Sequence, residues 1–113
     1  MTMVVDGRVL ALSADLMDRS KISAAFPQAE IVRLVAERSL DDVALLLVDL
    51  NIDGAIDVID LAVAHGIRVV AYGSHVDSLG IIDAGTAGAD AMPRSVFFRR
   101  IGAGTLLDAT HDD

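Results

Sequence analysis

Residues 45–54 read LLLVDLNIDG, an apolar run that stops on an acid. Leu45, Leu46, Leu47 and Val48 have no polar residue among them, so neither face of the segment is built for water. A strand apolar on both faces belongs inside a parallel sheet with helices above and below it. Asp49 stands where that strand emerges, and Asn51, Asp53 and Gly54 follow. A polar residue marks any strand's exit, but strand ends in open parallel sheets are also where such folds gather their chemistry.

The rest of the chain extends the same reading. VALLLVD (43–49) is the most apolar of five candidate strands and takes a central place. RVLALS (8–13) and AEIVRLV (29–35) precede it, and the polar interruptions of the latter suit a sheet edge. IRVVAYG (67–73) and the short ADAMP (89–93), closed by Pro93, come after it. Helical signals lie between the strands. Asp15 is placed to cap a helix reaching Phe26, where Pro27 stops it. Asp53 is placed to cap a second, with Ile56, Ile59 and Val63 on one face and His65 and Gly66 at its end. Residues 77–90 form a third, weakened by Gly80, Gly85 and Gly88. SVFFRRI (95–101) forms a reduced last helix of about two turns, ended by Gly102 and Gly104. Only one turn fits around ERSLDD (37–42), so the helix after the second strand is reduced as well. The alternation predicts one α/β domain over residues 1–113, a doubly wound five-stranded parallel sheet, with a frayed tail from about residue 110.

Composition narrows the classes. The chain is 53% hydrophobic but only 4% aromatic, so its core is built from Val, Ile, Leu and Ala. A formal charge of −8 repels phosphate backbones and argues against nucleic acid as a partner. With no cysteine there is no disulfide, thiolate zinc site or Cys nucleophile. No apolar run is long enough for a bilayer, and the N-terminal MTMVVDGRVLAL lacks a basic leader, so a cytoplasmic protein without a membrane partner is expected. No Gly-rich turn follows the first strand, where a nucleotide or flavin cradle would sit.

LLLVDLN, the fourth strand and AGADAMPRSVF (87–97) together resemble the receiver domain of response regulators, from Arg8 to about Ile101. The resemblance implies a flavodoxin-like sheet of order 2-1-3-4-5 and phosphoryl transfer onto Asp49. It also implies an Mg²⁺ ion held by an acidic pair after strand one, a hydroxyl ending strand four and a lysine ending strand five. Here the acidic pair falls on Ser13 and Ala14, or on Ala14 and Asp15, so only Asp15 is acidic. The carbonyl of Asn51 is a further possible ligand. The hydroxyl position falls on Gly73, with Ser74 next to it, and the lysine position on Ser95, with Arg94 beside it. Arginine supplies the charge but not the geometry of an ammonium. Met92 holds the place of the aromatic switch residue, and the loop after Asp49 is short. The pattern is similar to that of a degenerate, stand-alone receiver.

Each of these residues also has a plainer role. Asp49 can accept backbone N–H bonds, and Asp15 can simply cap its helix. Ser74 and His75 open a loop, and His75 with Asp77 offers too few ligands for a metal. His65 suits a helix C-terminus, and His111 lies in the tail. Arg94, Arg99 and Arg100 form a basic cluster that solubility explains. Ser13, Asp49 and His75 occupy three strand ends in the residue types of a hydrolase, without other support.

The leading expectation is a pseudo-receiver, a non-enzymatic signalling module without a cofactor that acts through a protein partner. The alternatives are a phosphorylatable receiver, with Asp15, Asp49 and Asn51 holding a weak Mg²⁺, and a small ligand-binding or enzymatic domain using the strand-end crevice. A homodimer is expected through Ile81, Ile82, Val96 and Phe98. Phe97, Phe98 and Ile101 should face the sheet while Val96 points elsewhere, unless residues 103–109, with Leu106 and Leu107, fold back over the patch.

Overall fold

A strand buried on both faces needs a helical layer on each side, and the third strand, Val43–Asp49, has both. In the computed structural model, which describes residues 3–33, 35 and 40–108, Leu45 and Leu47 enter one core cluster while Leu46 and Val48 enter another. The elements run β1 (Arg8–Leu12), α1 (Leu16–Ala25), β2 (Glu30–Val32), β3 (Val43–Asp49), α2 (Ala55–Ala64), β4 (Arg68–Gly73), α3 (Ser78–Thr86), β5 (Asp90–Pro93) and α4 (Arg94–Ala103). The strands form one sheet of order β2-β1-β3-β4-β5, every pairing parallel, which is a flavodoxin-like arrangement.

The two layers differ in character. α1 and α4 cover the face carrying Val9, Ala11, Val70 and Tyr72, through Ile22, Phe26, Phe97 and Ile101. α2 and α3 cover the opposite face through Ala55, Ile59, Ala62 and Ala84, so alanines let these helices lie close to the sheet. Tyr72, Phe97 and Phe98 pack as a cluster, with Tyr72 stacked on Phe97 at 4.3 Å between centroids. β2 is a short, half-exposed edge, as its polar interruptions suggested.

Several local expectations need correction. Asp53 does not cap α2. Gly54 holds that position at φ 82° with no side-chain cap, because a left-handed turn separates Asp53 from the first helical residue. The buried face of α2 is Ala55, Ile59 and Ala62, and Val63 lies at its exposed rim. The last helix is not reduced: it runs ten residues, passing through Gly102 and ending at Gly104. Val96 does not point away but packs against the α1/α4 core. Leu106 is buried in the same core, and Arg68 donates to the carbonyl of Leu107 at 3.1 Å, so this segment does fold back. The reduced helix after β2 would fall mainly on residues 34 and 36–39, and the frayed tail on residues from about 110, all outside the described residues. No described helix is long and apolar enough to cross a membrane.

Candidate functional site at the strand ends

Because all strands are parallel, the residues following them meet along one edge of the sheet. There Asp15, Asp18, Asp49, Asn51, Tyr72, Gly73, Ser74, Val76, Asp77 and Arg94 line a cleft of about 450 Å³. Asp49 lies on its floor, 9% exposed. Its Oδ1 accepts the backbone N–H of Asn51 at 2.9 Å, so the plain local role is realised. Burial raises the Asp49 pKa above the usual carboxylate value. The Asn51 hydrogen bond opposes the rise, Asp18 adds to it, Arg94 opposes it and Asp15 adds to it.

Beside Asp49 runs a polar chain absent from the sequence reading. Asp18, fully buried on α1, accepts the Tyr72 hydroxyl at 3.1 Å on Oδ2. The two terminal nitrogens of Arg94 also bind Asp18, one to each carboxylate oxygen. Ser13, fully buried, lies 3.3 Å from the Tyr72 oxygen. With the phenol proton directed at Asp18, Ser13 is the donor in that contact. The Arg94 guanidinium rests 4.9 Å from the Phe98 ring centroid and 5.9 Å from that of Tyr72. The Asp18 hydrogen bond raises the pKa of Arg94, and burial pushes up that of the Tyr72 phenol, so the network keeps its donors protonated.

The expected site residues divide accordingly. Asp15, Asp49, Asn51, Gly73, Ser74 and Arg94 share the cleft. Ser13 lies beneath it on Tyr72. Ala14 is exposed and brings no polar side chain. Ser95 lines a neighbouring cavity of about 300 Å³ with Lys21, His75 and Phe98. Asp15 caps α1, accepting the Asp18 N–H at 3.0 Å, and Asp77 caps α3, accepting the Gly80 N–H at 3.1 Å. The Ser74 hydroxyl accepts the Val76 N–H at 3.3 Å. No hydrolase triad is assembled, because Ser13 is sealed against Tyr72 while His75 belongs to the neighbouring cavity.

Asp15, Asp49 and the Asn51 carbonyl would offer an Mg²⁺ ion two carboxylates and one backbone oxygen, with water completing its shell. No three acidic or histidine side chains among the described residues converge closely enough to hold a metal, and the position of the missing second acid is taken by Ser13 or Ala14. A hydroxyl does reach the site from β4, but it is that of Tyr72, one residue before the expected place. Two signals in the sequence point to this network: the chain's single tyrosine ends a buried strand, and Asp18 sits one helical turn after the Asp15 cap. No protein-family model matches the chain, and no curated protein matches it.

Proposed function

We propose that this chain is a receiver-like signalling module, cytoplasmic and non-enzymatic, that works by contact with a protein partner and not by phosphoryl transfer. One observation carries the reading: Arg94, the cation nearest the place of the receiver lysine, is bound to Asp18 through both carboxylate oxygens, and Asp49 is left with a single backbone donor among the described residues. An aspartyl phosphate would add charge to a buried carboxylate already crowded by Asp15 and Asp18. Arg94 offsets that charge only in part, since both its terminal nitrogens are engaged by Asp18, and no group of three acidic or histidine side chains among the described residues stands ready to cage a metal beside it. The module is further proposed to form a homodimer, with Leu79 and Ile82 on α3, 73% and 61% exposed, at the centre of the contact. Ile81, half-buried on the same helix, forms its inner edge, whereas Phe98 faces α1 beside Lys21 and lies outside this contact.

The test is incubation with acetyl phosphate and Mg²⁺, followed by intact mass. No stoichiometric gain of about 80 Da is expected. A full gain that disappears in Asp49→Asn would establish instead a phosphorylatable receiver.

A further inference from the structure

The strand-end cleft holds four carboxylates, those of Asp15, Asp18, Asp49 and Asp77, against one guanidinium, that of Arg94. Asp18 uses both oxygens on Arg94 and Tyr72. The other three follow a common plan. Each commits Oδ1 to one nearby backbone N–H, those of Asp18, Asn51 and Gly80, and each has an Oδ2 without a donor among the described residues. These backbone bonds hold the carboxylates in place before anything binds. The most buried is Asp49, nine-tenths removed from solvent on the cleft floor. The three are too dispersed to cage a metal ion. A dispersed set of acceptors suits a cation that carries several donors on a wider frame, as guanidinium and ammonium groups do.

One exposed aliphatic side chain, Val76, lines the cleft, and two more follow the lining residue Asp15 in sequence. Val76 lines it at 79% exposure, and Leu16 and Met17, directly after Asp15, are 77% and 66% exposed. Large apolar side chains left in water on and next to a charged cleft mark a contact surface, and the volume lies within the ~300–1,000 Å³ of ordinary ligand clefts.

We infer that the cleft receives a partner segment that inserts one arginine or lysine side chain among Asp15, Asp49 and Asp77, while apolar residues flanking that cation rest on Leu16, Met17 and Val76. The inference rests on the reading of the chain as a contact module and names the chemistry of its partner. Arg94 already illustrates the mode: a guanidinium paired to a carboxylate beside aromatic faces, on the same cleft wall.

The probe is the peptide acetyl-Leu-Arg-Leu-amide, titrated into the ¹⁵N-labelled full chain, with the citrulline peptide and Mg²⁺ alone as comparisons. The amides of Asp18, Asn51 and Gly80 each report one carboxylate. The arginine peptide should shift all three saturably, and the citrulline peptide should bind at least tenfold more weakly. The double variant Asp15→Asn/Asp77→Asn keeps both helix caps, since asparagine caps as well as aspartate, and should also lose at least tenfold. Asp90→Asn, which removes the same kind of charge from the start of β5, should not. Val76→Ser should weaken binding without altering the fold.

The inference fails if the arginine peptide moves none of the three amides, or if citrulline binds equally well. It also fails if Asp90→Asn loses as much as the cleft variants. Movement of the three amides by Mg²⁺ and not by the peptide would assign the cleft to an inorganic cation, and the docking inference would fall. A mass gain with acetyl phosphate would remove the contact-module reading while leaving these titrations as they stand. Negative titrations of an unphosphorylatable chain would remove only the docking inference.

Discussion

Arg94 binds both carboxylate oxygens of Asp18 across 76 residues of sequence, joining the first turn of α4 to the first turn of α1. The two partners are unequal: Asp18 has no exposed surface, whereas the Arg94 side chain is 41% exposed. Arg94→Ala leaves a buried carboxylate with only the Tyr72 hydroxyl and should cost about 3 kcal/mol. Asp18→Asn keeps an acceptor for Tyr72 and returns Arg94 to water, so about 1–2 kcal/mol is expected. Urea denaturation of the two variants gives the order directly. If Asp18→Asn proves the worse of the two, the buried carboxylate is not what the pair protects.

Asp49 should weaken the fold at neutral pH. Its folded pKa is raised above the unfolded value, about 3.9, mainly by burial. Below the unfolded value the group is protonated in both states and contributes nothing. As pH climbs toward the folded pKa the folded state holds the proton more tightly, so stability falls, and above the folded pKa the full penalty applies. Asp49→Asn keeps an oxygen for the Asn51 N–H and removes the charge. It should be neutral or stabilising at pH 7, and should flatten the stability profile above about pH 4. A loss greater than about 1 kcal/mol at pH 7 would mean that the charged carboxylate makes hydrogen bonds the fold requires.

The glycine of AGAD (87–90) has a structural reason. Gly88 sits at φ 111° after α3, where an added Cβ would come within 3.0 Å of the Val63 Cγ1. Gly88→Ala should therefore cost about 1–3 kcal/mol from backbone strain, together with the clash. Adding Val63→Ala should recover only the steric share, leaving the thermal midpoint below that of Val63→Ala alone. Full recovery would place the whole cost in the clash.

Light scattering on a size-exclusion column at micromolar concentration tests the proposed dimer. A mass twice 11.9 kDa is expected, falling to the monomer in Ile82→Glu. A monomer in the unsubstituted protein ends the proposal. A dimer that survives both Ile82→Glu and Leu79→Glu moves the contact away from α3.

The sheet was legible because strand burial writes itself locally. Four consecutive apolar residues in β3, with Leu45 and Leu47 going to one layer and Leu46 and Val48 to the other, say that both faces are covered. Caps were legible where the capping side chain adjoins its helix, as at Asp15. At Gly54 a left-handed turn intervened and the same logic chose Asp53 wrongly. The site was half legible. Asp49, Asp15 and Arg94 were placed together because topology carries strand ends to one edge. Asp18 was missed because an acid in the first turn of a helix ordinarily faces water. Its burial depends on Tyr72 and Arg94, 54 and 76 residues away, so the lone tyrosine on a buried strand and the acid one turn past a cap become signals only when read together.

β1 lies between β2 and β3 and pairs with residues 30–32 and 43–48. During synthesis, then, the earliest strand of the sheet is among those that wait for a neighbour. Val9, Leu10, Ala11 and Leu12 leave the ribosome with no second flank to join until β3 has followed. At about 5–20 residues per second that wait lasts a few seconds. Throughout it the nascent chain displays an apolar strand with both edges or one edge open, a natural handle for a chaperone and a natural seed for aggregation.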